Sequence, residues 1–211
     1  MKNMMSILVV LAIIFVFAGC NTNMPTSNEN SAATSQSFGS MGNIKSSENA
    51  VEITGQNELN TLGREVLDGA FYAGMLYTSW NHPSKLDPEV FSAFYIWLHS
   101  LDESAEPYVE FDKLGAPMVS QDKLESQITA CFDVTVDYLR QSQHYHGESK
   151  LYTLVELGGA WSCEVISAVR KRDILEIKFQ FVDSNGDIGQ IGMLIVQEAD
   201  SGYRYLSCIV D

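Results

Sequence analysis

Between residues 175 and 181, Leu175, Ile177, Phe179 and Phe181 alternate with Glu176, Lys178 and Gln180. Period two marks a strand with one buried face. The turn Ser184-Asn185-Gly186-Asp187 follows, and Asn-Gly is a strong hairpin signal. Beyond it, Ile191, Met193, Leu194, Ile195 and Val196 put apolar residues on both faces, as a central strand would. A second turn at Asp200-Ser201-Gly202 leads into YRYLSCIVD. Upstream, WSCEVISAVR pairs with the 175–181 strand across Lys171-Arg172-Asp173. The pattern predicts a four-stranded antiparallel meander.

The preceding hundred residues change period. Leu59, Leu62, Val66, Ala70, Ala73, Tyr77 and Trp80 recur at three- and four-residue steps, predicting a first helix. Phe71, Met75 and Leu76 widen its stripe, so more than one side is buried. Gly63, Gly69 and Gly74 each cost roughly 0.5–1 kcal/mol in a helix. They mark close approach of a neighbouring backbone or, as the weaker reading, room for a ligand. Asp87-Pro88-Glu89 signals a second helix, with Val90, Phe94, Trp97, Leu98 and Leu101 as its apolar face. Pro107 and Pro117 bracket a loop. A third helix starts after Ser120 and carries Leu124, Ile128, Cys131 and Phe132, reaching toward Leu139. Three N-terminal helices on one face of a meander make an α+β domain.

The chain begins differently. Every residue from Ile7 to Ala18 is apolar, with Lys2 before the run and Ala18-Gly19-Cys20 at its end. A spanning helix needs about 20 apolar residues, so the run fits a signal-peptide core better. Phe17-Ala18-Gly19-Cys20 resembles the lipobox of bacterial lipoproteins, departing from it only in Phe17, where that family usually carries leucine. The resemblance implies cleavage by signal peptidase II and lipidation of Cys20. Its two or more acyl chains would anchor stably where one would bind reversibly. Residues 1–19 then form a signal peptide. The resemblance thus implies an extracytoplasmic protein, held to the bacterial membrane through lipidated Cys20. Residues 20–50 comprise that cysteine and a flexible tether, rich in Ser, Asn and Thr and without hydrophobic period.

Residues 51–211 form a single domain. Two basic and two acidic residues precede it, so the full formal charge of −14 lies within it. Such acidity argues against a nucleic-acid partner. The element order over residues 58–211 resembles the cone-shaped nuclear-transport-factor-2-like fold, or a cystatin-like layer. It is similar in outline to uncharacterised lipoproteins of Gram-positive bacteria. No motif accompanies that likeness, and a fold does not name an activity.

Candidate chemistry is sparse. His144 and His146, with Glu148, fall short of a zinc set, so solvated loop histidines are the better reading. Asp183, Asn185 and Asp187 alternate as in a calcium loop. The EF-hand positions for Gly and Glu, however, hold Ile188 and Leu194, which favours a plain turn. Cys131, Cys163 and Cys208 are expected to be buried thiols, since a meander separates Cys163 from Cys208 by about three strand spacings of roughly 4.8 Å. Gly158-Gly159-Ala160-Trp161 turns the chain, with Trp161 expected in the core; a ligand platform is the alternative. No nucleophile elbow, Walker A loop or metalloprotease helix occurs. No catalytic, metal or cofactor residue is nominated. The leading expectation is a non-enzymatic envelope module binding an unknown protein or small ligand. An enzyme with a pocket between the first helix and the sheet is the alternative, and a purely structural surface lipoprotein the third.

Overall fold

The structure is a computed structural model that describes residues 50–100, 110–155, 161–200 and 202–211. The leader, Cys20, the tether up to residue 49, Leu101, Pro107 and Gly158-Gly159-Ala160 lie outside the described residues, while Ala50, expected at the end of the tether, belongs to the first strand. Strand β1 (Ala50–Ile53) opens the fold. A helical run follows: α1 (Gln56–Leu62), a π turn (Gly63–Leu67) and α2 (Asp68–Tyr72). After a 3-10 turn come α3 (Val90–Ser100), β2 (Glu110–Phe111), β3 (Pro117–Ser120), α4 (Gln121–Cys131) and α5 (Val136–Leu139). Then follow β4 (Tyr145–His146), β5 (Leu151–Thr153), β6 (Ser162–Lys171), β7 (Ile174–Val182), β8 (Ile188–Ala199) and β9 (Gly202–Val210).

The class is mixed α+β, but three helices on a four-stranded meander is not the architecture. Among the described residues, counting α1, the π turn and α2 as one body, four helical bodies accompany two antiparallel sheets. The larger sheet runs β1-β6-β7-β8-β9, and the smaller runs β2-β3-β5-β4. Strands β6 to β9 lie side by side in chain order, with two-residue pairing across Arg172-Asp173. The fifth strand, β1, pairs antiparallel with the other edge of β6, Ile53 opposite Ala168. It closes an edge that would otherwise present unpaired backbone groups.

Strand β7 follows its predicted alternation. Leu175, Ile177, Phe179 and Phe181 are buried while Lys178 is exposed. Leu194 and Val196 of β8, with Tyr205 and Cys208 of β9, continue that inner face. Against it lie Leu62, Val66 and Ala70 of the first helical run, Phe94 of α3 and Ile128 of α4, all in one core. On the opposite face Met193 and Ile209 stay exposed. Helix α3 is buried on more than the predicted stripe, since Phe91, Ala93 and Tyr95 are covered as well as Phe94 and Trp97. Helix α4 begins directly after Ser120 as expected, though the Ser120 side chain makes no capping hydrogen bond, and Leu139 belongs to the separate α5.

The first helix does not reach Trp80. Gly74, at φ 73°, ends it. The Met75 N–H donates to the Ala70 carbonyl at 2.9 Å, and the Gly74 N–H to the Phe71 carbonyl at 2.9 Å. That pair of bonds is a Schellman cap, which needs the left-handed residue that glycine supplies without strain. Trp80 is buried for another reason. Its backbone exchanges two 2.8 Å hydrogen bonds with Cys208, covering part of the β9 edge, and its indole N–H donates to the Met75 carbonyl. Gly69 meets a close neighbour that is a side chain, not a backbone: a Cβ there would lie 2.4 Å from the Trp97 ring.

Candidate functional site

Where the helical run crosses β6, the two elements leave a cleft of about 440 Å³. Leu59, Gly63 and Val165 supply its apolar lining. Gln56, Asn60, Arg64, Asp68, Cys163 and Glu164 supply polar groups. The volume falls within the roughly 300–1,000 Å³ of small-molecule sites.

The π turn shapes this wall. The Asp68 N–H donates to the Gly63 carbonyl, five residues back, and so interrupts the regular helical bonding. In an α-helix Arg64 and Asp68 would be neighbours at i, i+4. Here no ion pair joins either to a partner among the described residues, and neither has a side-chain hydrogen bond there. Burial pushes the Asp68 carboxyl above its ordinary value, and the Arg64 charge offsets this only in part. Turns of this kind recur at functional sites because they displace side chains from helical register.

Cys163 faces the same cleft. Its thiol is pushed up first by burial, then by the charges of Asp68, Cys208 and Glu164. Burial likewise raises Cys131 to about 11 and Cys208 to about 12. All three are free thiols, and only Cys208 is fully buried, the other two being half-buried. A thiol held protonated at neutral pH is a poor nucleophile.

An aromatic ledge adjoins Cys163. Phe181, directly opposite Cys163 on β7, stacks with Tyr77 at 5.0 Å and meets Phe71 at 5.5 Å. Tyr77 is 41% exposed and Tyr72 54%. Trp161 does not fill the core as expected. It is 40% exposed, because its ring rests on Gly189, where an added Cβ would come within 2.9 Å of it.

The structure separates the two loop histidines. His146 reaches Thr153 Oγ1 at 2.7 Å and is exposed, whereas half-buried His144 lies 3.1 Å from Glu89 Oε2. Glu89 also accepts from Ser142 Oγ and the Gln143 N–H, both at 2.8 Å, so it fastens this loop to the start of α3. Among the described residues no group of His, Cys, Asp and Glu could hold a metal ion. Asp183 accepts the N–H groups of Asn185 and Asp187, closing a hairpin with Gly186 at φ 86°.

A second polar cluster had no sequence signal. Buried Glu125 accepts from Arg140 Nε at 2.7 Å, Arg140 Nη2 at 2.9 Å and the Tyr152 hydroxyl at 3.0 Å. Its carboxylate is fully engaged, so this cluster fastens α4, α5 and β5 together and leaves no atom for a ligand. No protein-family model matches the chain, and no curated protein or solved structure is significantly similar to it.

Proposed function

We propose that this chain is a lipid-anchored protein of the bacterial cell envelope that works as a binding module. The observation that carries the proposal is the junction at Gly19-Cys20, where an apolar run of signal-peptide length ends in a small residue and a cysteine. Lipidated Cys20 would hold the protein to the membrane, residues 21–49 would act as the spacer, and the cleft beside β6 would take the ligand. The test is incorporation of labelled fatty acid. Wild type should incorporate it, and Cys20→Ala should lose both label and normal processing. Unchanged labelling in the variant would overturn the anchor.

Asp68 favours a second reading, an enzyme using the same cleft. A carboxyl raised by burial is poised to exchange protons with a bound substrate. Binding is preferred because the neighbouring thiol is held protonated and no base is hydrogen-bonded to it among the described residues.

A further inference from the structure

The cleft presents one cation and one half-buried anion that do not satisfy each other. Arg64 and Asp68 both line it, on a single helical run, and the π turn between them removes the i, i+4 pairing that an α-helix would give. Neither has another ion-pair or hydrogen-bonding partner among the described residues. Gln56 is already turned to Asn60 at 3.0 Å, and Glu164 accepts from Gln180, so the other polar groups of the cleft are partly engaged. A carboxylate withdrawn from water without a partner is costly, and a ligand that supplies the missing partner recovers that cost.

We propose that the cleft binds a small zwitterion of the amino-acid type, its ammonium group at Asp68 and its carboxylate at Arg64. The chemistry of each contact fits. A guanidinium presents a planar fork to a carboxylate, and an ammonium presents three donors to an acceptor-only group. Leu59, Gly63 and Val165 form an apolar wall for a side chain. The raised Asp68 acidity constant agrees with this, since burial outweighs the partial relief that the Arg64 charge gives the carboxylate. The inference deepens the binding reading and rests on it.

The experiment is a titration of isotope-labelled full-length protein with L-leucine, leucinamide and N-acetylleucine, read by amide chemical shifts. Leucinamide lacks the carboxylate, and N-acetylleucine lacks the ammonium. L-Leucine should shift Asn60, Gly63 and Glu164 saturably, and each analogue should bind about tenfold more weakly, the equivalent of about 1.4 kcal/mol for a lost charged contact. Asp68→Asn should weaken L-leucine and leave N-acetylleucine unchanged, with an otherwise native spectrum as the control for folding. Equal binding of all three compounds would overturn the zwitterion and keep the cleft as a binding site. Absence of any saturable shift with L-leucine would overturn the proposal outright. The anchor at Cys20 is tested separately by lipid labelling and survives either failure.

Discussion

Asp68 and Cys163 show how one site gives two side chains opposite prospects. Burial raises the acidity constant of both. For a carboxyl, that brings proton exchange nearer to neutrality; for a thiol, it takes the reactive thiolate further away. Cys131, Cys163 and Cys208 should therefore react with iodoacetamide far more slowly in the native protein at pH 8 than after unfolding. Mass spectrometry of the alkylated protein checks this, and rapid native labelling of Cys163 would contradict a thiol held protonated by burial. A pocket between the first helix and the sheet was among the sequence expectations, but its acid was not legible, because Asp68 is one of 27 acidic residues and only the sheet opposite distinguishes it. Trp161 was legible as a choice between core and platform, and a contact with Gly189 from another strand decided its exposure.

Among the elements, glycines in one helical run divide by what lies over them. A Cβ at Gly63 would sit at 3.8 Å from Val165, an ordinary contact, whereas one at Gly69 would strike the Trp97 ring. Gly63→Ala should accordingly stabilise by up to about 1 kcal/mol, while Gly69→Ala should destabilise by about 1–3 kcal/mol or more through overpacking. Denaturant melts compare the two. Strand β7 supplies a second contrast. Phe179→Ala should cost roughly 3–5 kcal/mol as a buried cavity, and Lys178→Ala on the exposed face no more than about 0.5 kcal/mol. Equal losses would mean that both faces are covered. Long periodic elements were readable: β7, β8, α3 and the start of α4 stand where their patterns placed them. The strands β1 to β5, each of two to four residues, are too short to express a period, and so the second sheet and the fifth strand went unforeseen. The helical stripe running on to Trp80 misled for a related reason: burial through the β9 edge imitates helical spacing.

For the whole molecule, helices on one face of the large sheet account for both the core and the gap in it. The covered face is filled from Leu175 to Phe181, and the cleft lies between β6 and the helical run from Gln56 to Asp68, which includes the π turn. On the proposed binding reading, the cleft would set stability aside for binding, a common exchange at functional sites. The sign of that exchange follows from linkage. Asp68 holds its proton more tightly in the folded chain than in the unfolded one, so between the two acidity constants the native state binds more protons. Its contribution to stability therefore falls as pH rises above its ordinary value of 3.8. The most direct test is the unfolding free energy of the parent and of Asp68→Asn, without ligand, from pH 3 to pH 8. Taking the difference cancels the other carboxyls, including Asp173 and Asp183, which hydrogen bonds depress. The account predicts that the variant's advantage grows as pH rises above 3.8 and then levels off. A difference that stays flat across the range, or turns against the variant, would mean that Asp68 is solvated or already paired, and would contradict the site.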